Sequence, residues 1–245
     1  MKAMVFAAGL GTRLRPLTND KPKALVELGG MPLLEIAIRR LKHFGCKEII
    51  VNVHHFAGLI IDFLEEKKHF GIQIEISDER DLLLDTGGGL KKAAWFFDDG
   101  NPFLVCNADI LTNLDLKSFY ENHLKQDALA TLAIRNRDTS RYLLFDENTF
   151  ELNGWKNIKT GEVKWCRVQR EGIVNRAFSG IHVIDPKLFS LMPDESVFSI
   201  IDVYLSSARE HRIVGFPHDD TIWLDVGKPE ALEKGKGIIG RIIDL

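Results

Sequence analysis

The sequence is poor in features that mark several classes of protein. Its 245 residues include only three cysteines, Cys46, Cys106 and Cys166, with no C-x-x-C pair among them. An odd number of widely spaced cysteines favours neither a zinc site nor a disulfide framework, and it fits a reducing compartment. We therefore expect a cytoplasmic protein whose core forms without cross-links, which a chain of this length allows.

Long apolar runs and an excess of one charge are also missing. No apolar stretch approaches the ~20 residues of a membrane span, and the first apolar run is short for a signal peptide. The chain has 32 Lys and Arg against 35 Asp and Glu, a formal net charge of -3. This balance predicts neither a membrane nor a nucleic acid as a partner, so basic residues must hold any anionic ligand locally.

Two common nucleotide-binding loops are absent near the N-terminus. The P-loop pattern G-x-x-x-x-G-K-[ST] does not occur, and G-x-G-x-x-G fails because Leu14 stands where the third glycine belongs. The second predicted strand ends in NVHH, without the acidic residue that would hold a ribose. A dinucleotide-dependent oxidoreductase is therefore a weak alternative.

What is present is an alternation of buried strands and helices. Residues 2–8 and 48–53 are typical of buried strands, and residues 32–44 between them have helical spacing. This alternation continues and predicts an α/β fold with a mainly parallel sheet, including a short helix over 90–97. Residues 135–178 are rich in turns and predict a small antiparallel insertion within a single domain, residues 1–245.

The loop after the first strand combines glycine with positive charge. Gly9 and Gly11 let backbone N–H groups approach a ligand closely, and successive N–H groups form an anion-binding nest. In open α/β sheets, ligands bind beyond the carboxyl ends of the strands, where this loop lies. We expect a polyphosphate there, held by nearby basic residues: Arg13, Arg15, Lys21 and Lys23.

The segment AAGLGTRLRPLTNDKPKAL, residues 7–25, resembles the signature G-x-G-T-R-x-R-P-x-T-x-x-x-P-K of the sugar-phosphate nucleotidyltransferases. Further blocks that resemble this family follow in order along nearly the whole chain: LDTGGGL (84–90), LVCNADIL (104–111), FSGIHVID (178–185) and WLDVGKPEAL (223–232). Within the family, the chain resembles the short uridylyltransferases that act on N-acetylmuramate 1-phosphate, which share the TGGG block, and it is also similar to short guanylyltransferases for mannose or heptose 1-phosphate. The resemblance implies the Rossmann-like three-layer fold of the nucleotide-diphospho-sugar transferases.

The resemblance also implies a reaction. A sugar 1-phosphate attacks the α-phosphorus of an NTP, with UTP favoured, and an NDP-sugar for cell-envelope or glycan metabolism forms as pyrophosphate leaves. The second phosphate pKa is ~6, so the nucleophile is already an anion and needs no general base. Catalysis then requires Mg²⁺ on carboxylates and cationic side chains on phosphate oxygens. We expect a monomer or small homo-oligomer.

The family's functional residues map onto this sequence position by position. The matching catalytic residues are Arg13, Lys23, Asp109 and Asp225, of which Asp109 and Asp225 correspond to the Mg²⁺ ligands. Nucleotide binding is implied for Ala8, Gly9, Leu10, Gly11, Thr12, Arg13, Lys23, Thr86, Gly87 and Gly88. Sugar binding is implied for Asn107 and Gly180.

Structural explanations stay open for several of these residues. Thr86 is also suited to capping a helix, Asn107 to a turn and Gly180 to a strand bulge. Adjacent His54 and His55 point to opposite faces of a strand, which favours polar loop residues over a metal site.

The acceptor side is unassigned. Many relatives carry an E-K-P stretch whose lysine binds the sugar phosphate, and this chain has none. Replacements for that lysine are Lys156, Lys164, Arg141 and Arg176, while the loop residues Arg135, Arg137 and Arg141 face either sugar phosphate or solvent. Two rival functions also remain: a non-catalytic nucleotide-sugar sensor and a phosphocholine cytidylyltransferase.

Overall fold

A computed structural model describes residues 1–168 and 171–243 of the chain. The strands are β1 (Lys2–Phe6), β2 (Glu27–Leu28), β3 (Met31–Pro32), β4 (Glu48–Val53), β5 (Gln73–Asp78), β6 (Phe103–Asn107), β7 (Ile110–Thr112), β8 (Ala130–Arg135), β9 (Arg141–Asp146), β10 (Leu152–Asn157), β11 (Val163–Trp165), β12 (Ile173–Ile184), β13 (Ile213–Pro217) and β14 (Trp223–Asp225). The α-helices are α1 (Leu33–His43), α2 (Ala57–Glu66), α3 (Asp85–Lys92), α4 (Leu116–Leu124), α5 (Ile200–Ser207), α6 (Pro229–Lys236) and α7 (Gly240–Ile243).

The central sheet runs in the order β5-β4-β1-β6-β12-β8-β13. Strands β5, β4, β1 and β6 are parallel neighbours, and β8 is parallel to β13. Only β12 runs antiparallel to its neighbours β6 and β8 in this part of the sheet. The prediction of an α/β fold with a mainly parallel sheet is confirmed.

Helices cover both faces of this sheet and produce three layers. The alternation of β1 shows why, since Ala3 and Val5 are buried against one face and Met4 against the other. Helices α1, α2 and α4 contribute apolar side chains to the first cluster, and α3 and α5 contribute to the second. Strands buried on both faces explain the nearly continuous apolar runs of the sequence.

The antiparallel insertion is an extension of the same sheet. Strands β9, β10 and β11 pair antiparallel with one another, and β9 also pairs with the first residues of β12, Ile173 to Arg176. All three strands lie inside the predicted insertion, residues 135–178. That residues 1–245 form one domain stays a prediction.

The prediction of one short helix over 90–97 is wrong. Helix α3 begins at Asp85 and ends at Lys92, and a separate 3-10 turn covers Ala94–Phe97. The intrinsic preference of Gly87–Gly89 against helix is overridden here because their backbone packs tightly against neighbouring residues. None of the helices in the described ranges is long and apolar enough to cross a membrane.

Candidate active site

A cavity of about 610 Å³ opens at the carboxyl end of the parallel strands. Its walls come from the loops after β1, β5 and β6, together with the start of α3. The lining residues are Phe6, Ala7, Ala8, Gly9, Leu10, Gly11, Thr12, Arg13, Lys23, Ala24, Asn52, Glu79, Leu83, Asp85, Thr86, Asn107, Ala108, Asp109, Val197 and Gly227. The position and the size suit a small polar molecule such as a nucleotide.

The conformation of the glycine loop after β1 is set by close packing at Gly11, a hydrogen bond from Thr18 and the burial of Leu14. Gly11 has a φ of 65°, and an added Cβ would lie 2.9 Å from the Cβ of Lys23, so glycine is required. The Thr18 hydroxyl donates to the Gly11 carbonyl at 2.9 Å. Leu14 is fully buried in an apolar cluster with Val26 and other residues, which explains a leucine at this position. The loop therefore has a defined conformation along the cavity, and Arg13 is exposed beside that cavity.

The two predicted metal-binding aspartates lie on adjacent backbone segments. Strand β14 pairs antiparallel with β7, which sets Asp225 opposite Ile110, and the Val226 N–H donates to the Asp109 carbonyl at 3.0 Å. The Asp225 carboxylate accepts a 2.8 Å hydrogen bond from the Gly227 N–H. The chain thus brings together two carboxylates that are 116 positions apart in the sequence (225 minus 109).

Two cationic side chains converge on the same place. Lys23 forms an ion pair with Asp109, and both side chains are largely buried. A Cβ added to Gly227 would lie 2.7 Å from the Asp225 carboxylate and 3.0 Å from both Arg13 Nη2 and Lys23 Nζ. The four predicted catalytic residues therefore lie close together around Gly227, which lines the cavity, and glycine at this position makes room for them.

The T-G-G-G block divides into two roles. Thr86 lines the cavity and its hydroxyl accepts from the Ile200 N–H at 3.1 Å, while Gly87 and Gly88 are buried and absent from the cavity lining. A Cβ on Gly87 would lie 2.4 Å from the Phe198 ring, and one on Gly88 would lie 2.0 Å from the Ser196 carbonyl. The structure thus gives these glycines a packing function beneath residues 196–198, and a direct role in nucleotide binding stays a prediction.

Asn107 and Gly180 lie against each other. Asn107 lines the cavity, whereas Gly180 sits in an irregularity of β12 between Phe178 and His182 with a φ of 75°. A Cβ on Gly180 would lie 2.7 Å from Asn107 Nδ2. Gly180 therefore makes space for the Asn107 amide, and sugar binding by either residue stays a prediction.

A buried polar pair at the cavity wall was missed from the sequence. Asn52 Oδ1 accepts from the Ala7 N–H at 2.7 Å, and Asn52 Nδ2 donates to Glu79 Oε1 at 2.7 Å. Glu79 is 1% exposed, and burial raises the pKa of its carboxyl. Asn52 interrupts the apolar residues of β4, between Val51 and Val53, and a polar residue in such a position is the signal that points to this pair.

His54 and His55, which follow β4, contact residues other than Asp109 and Asp225. His54 Nδ1 lies 2.6 Å from the Glu79 carbonyl, and the ring of His55 packs on Phe56 with centroids 4.0 Å apart. Within residues 1–168 and 171–243, no group of three or more His, Cys, Asp or Glu side chains is arranged to hold a metal.

Comparison with known proteins shows the family of the chain. The family model described as nucleotidyl transferase matches residues 2–145. The N-acetylmuramate alpha-1-phosphate uridylyltransferase of Caulobacter vibrioides is 35% identical over 237 residues, which cover 94% of this chain and 93% of that protein. The mannose-1-phosphate guanylyltransferase catalytic subunit beta of Dictyostelium discoideum is 25% identical over 97% of this chain and 64% of its own length. The structure of HddC from Yersinia pseudotuberculosis complexed with GMP-PN has a TM-score of 0.76 and 25% identity, covering 97% of this chain and 99% of that one.

Proposed function

Because the chain belongs to the nucleotidyl transferase family, we propose that it transfers a nucleoside monophosphate from an NTP to a sugar 1-phosphate. The observation that carries this proposal is the convergence of Arg13, Lys23, Asp109 and Asp225 around Gly227, which lines the cavity. A glycine loop with backbone N–H groups beside them suits the triphosphate.

The reaction needs no protein base. A phosphate oxygen of the acceptor attacks the α-phosphorus of the NTP and forms a new P–O bond. The bond between the α-phosphorus and the oxygen that bridges to the β-phosphate breaks, and pyrophosphate leaves with that electron pair. Arg13 and Lys23 hold phosphate oxygens in line and balance the charge that develops, which is the main requirement of phosphoryl chemistry.

The two aspartates fit a divalent cation of the Mg²⁺ type. Both offer carboxylate oxygens, the ligands that this hard ion prefers, and Mg²⁺ is typically held by one or two carboxylates with the remaining positions on phosphates and water. The ion pair of Asp109 with Lys23 shows that this carboxylate already attracts positive charge. When bound, the cation supplies charge neutralisation at the phosphate oxygens.

For the substrates we favour UTP and N-acetylmuramate 1-phosphate. The support is the similarity over nearly the full length of both chains to a protein of that description. GTP with mannose or heptose 1-phosphate is the alternative, supported by the similarity to a mannose-1-phosphate guanylyltransferase and to a structure containing GMP-PN. The retention of Arg13, Lys23, Asp109 and Asp225 argues against a non-catalytic nucleotide-sugar sensor.

The cellular setting forms part of the same proposal. Three buried free thiols, Cys46, Cys106 and Cys166, suit a reducing cytoplasm. A nucleotide sugar made there would serve cell-envelope or glycan synthesis, by a monomer or a small homo-oligomer.

The experiment is a panel of UTP, GTP, CTP and ATP against several sugar 1-phosphates, measured by pyrophosphate release with Mg²⁺ present. We expect the highest kcat/KM for UTP with N-acetylmuramate 1-phosphate. A kcat/KM about tenfold higher for GTP with mannose 1-phosphate (~1.4 kcal/mol) would establish the alternative substrates. Binding of a nucleotide sugar without any turnover would favour the sensor.

A further inference from the structure

A further cationic side chain, Arg137, lies beside the strand that carries Asp225. The Arg137 guanidinium packs over the Trp223 ring, with its carbon 4.4 Å from the ring centroid. Trp223 and Asp225 are alternate residues of β14 and point to the same face of that strand. Asp225 also lies near Arg13 and Lys23 around Gly227, so Arg137 is a third cation close to this part of the site.

The Trp223 ring is a fixed platform. Its Nε1 donates to the Ser179 carbonyl at 2.9 Å, and the Ser179 hydroxyl lies 2.7 Å from His218 Nε2. His218 Nδ1 lies 2.7 Å from the Thr221 hydroxyl, and His218 is 2% exposed. This buried chain of hydrogen bonds sets the orientation of the ring, and therefore of the guanidinium stacked on it.

Arg137 retains donor capacity. Its Nη2 donates to the Phe178 carbonyl at 3.2 Å and its Nη1 to the Asp138 carbonyl at 3.4 Å. Its Nε is buried and has no protein hydrogen-bond partner within the described part of the chain. Burial lowers the pKa of Arg137, with partial compensation from Asp225, yet a guanidinium stays charged at neutral pH. A partly buried fixed cation with spare planar donors is suited to a phosphate.

Two lysines considered as replacements for the missing E-K-P lysine have other contacts. Lys164 pairs with Asp202 at 3.1 Å and lies over the Trp155 ring, and Lys156 lies over the Tyr142 ring. Arg141 is exposed. Arg135 also lies over the Trp223 ring, but at 5.8 Å from its centroid it is farther than Arg137, and it donates to the Thr221 and Asp219 carbonyls.

We propose that Arg137, stacked on Trp223, binds the phosphate of the sugar 1-phosphate acceptor and replaces the lysine that the chain lacks. The inference rests on the proposed function, since it assumes that a sugar phosphate is the acceptor. In-line transfer places the acceptor opposite the leaving pyrophosphate. Arg137 lies over Trp223 and donates to the Phe178 carbonyl, outside the glycine loop that carries Arg13, and this placement fits that arrangement.

The test is steady-state kinetics of Arg137→Gln, Arg137→Lys, Arg176→Gln, Arg141→Gln and Arg209→Gln with the best substrate pair of the wild-type protein. Arg176→Gln is included because Arg176 Nε is also buried without a partner in the described ranges. We expect Arg137→Gln to raise the KM for the sugar 1-phosphate about tenfold or more, because a charge-assisted contact is lost. The KM for the NTP should change less than about twofold, and Arg137→Lys should recover part of the acceptor affinity. Arg209→Gln is the control, because it removes the same charge from an exposed site after α5 and should leave both KM values unchanged, whereas an acceptor KM raised in Arg141→Gln alone would transfer the role to Arg141.

The outcomes separate the two proposals. If the wild-type protein turns over but folded Arg137→Gln, checked by its melting temperature, keeps an unchanged acceptor KM, the assignment of Arg137 is wrong and the proposed function stands. An acceptor KM raised in Arg176→Gln alone would transfer the role to Arg176. Absence of turnover in the wild-type protein with every NTP and sugar 1-phosphate would overturn both proposals.

Discussion

The donor side and the acceptor side of the site are built in different ways. The donor side is a single stretch, residues 8–25, in which the glycine loop, Arg13 and Lys23 lie close together in the sequence. The acceptor side is assembled from residues in or near four separate strands, β8, β12, β13 and β14, which contribute Arg137, Ser179, His218 and Trp223. A contiguous loop keeps its pattern in the sequence, whereas an assembly of distant residues exists only once the sheet has formed.

Removal of the carboxylate of Asp109 or Asp225 should have the largest effect. Asp109→Asn and Asp225→Asn each remove a proposed anionic ligand of the divalent cation, so we expect kcat to fall about 10³-fold at saturating Mg²⁺ with the fold intact. The measurement is pyrophosphate release together with a thermal melt. Asp220→Asn, an exposed aspartate between β13 and β14, is the control and should keep full activity. Normal turnover in Asp109→Asn or Asp225→Asn would refute the assignment of that residue.

A cation on the donor side comes next. Lys23→Ala removes a largely buried ammonium group from the phosphate-binding region, and we expect kcat/KM to fall by ~3 kcal/mol of transition-state stabilisation. Lys117→Ala, an exposed lysine on α4, should have no effect. A loss of less than about twofold in Lys23→Ala would mean that Lys23 serves only to pair with Asp109.

These differences explain what could be predicted from the sequence. The strands and the donor loop were predicted because apolar runs and the motif are local. The α3 boundary was missed because Gly88 is selected by its contact with the Ser196 carbonyl, a neighbour 108 positions away (196 minus 88). The stacking of Arg137 on Trp223 depends on the path of the chain between β8 and β14, and no local pattern indicates it.

Gly88→Ala tests whether that glycine acts in packing or in binding. An added Cβ would lie 2.0 Å from the Ser196 carbonyl oxygen, so we expect the free energy of unfolding to fall by about 3 kcal/mol. Gly58→Ala is the matched control, since Gly58 lies in α2 with nothing within 4 Å, and it should be neutral or stabilising by up to ~1 kcal/mol. Chemical denaturation measures both. If Gly88→Ala kept full stability and raised only the KM for the NTP, the glycine would act in nucleotide binding.

The smallest expected effect is the contribution of His218, which is linked to the Trp223 ring through Ser179, to the pH dependence of stability. Burial lowers the pKa of His218 to about 4, below its ordinary value near 6.5. The unfolded chain therefore takes up this proton at a higher pH than the folded chain. The stability contributed by neutral His218 is fully present above pH 6.5 and is lost progressively as the pH falls from 6.5 towards 4. For His218 alone we expect a loss of about 1.5 kcal/mol between pH 6.5 and 5.

Denaturation at several pH values, compared with His218→Gln, isolates this contribution. The variant should show a shallower loss of stability on acidification. His211→Gln replaces an exposed histidine and should leave the pH profile of the wild-type protein unchanged. Identical pH profiles for His218→Gln and the wild-type protein would show that His218 is not held neutral in the fold.

The most direct test of the account follows the oxygen atoms of the reaction. The wild-type protein is incubated with Mg²⁺, UTP and N-acetylmuramate 1-phosphate labelled with ¹⁸O in its phosphate, and the products are analysed by ³¹P NMR. If the sugar phosphate attacks the α-phosphorus of UTP, we expect a UDP-sugar that carries the label at the oxygen between its two phosphorus atoms, together with unlabelled pyrophosphate. Release of orthophosphate or UDP, or a nucleotide sugar without label at that bridge, would contradict attack by the sugar phosphate on the α-phosphorus.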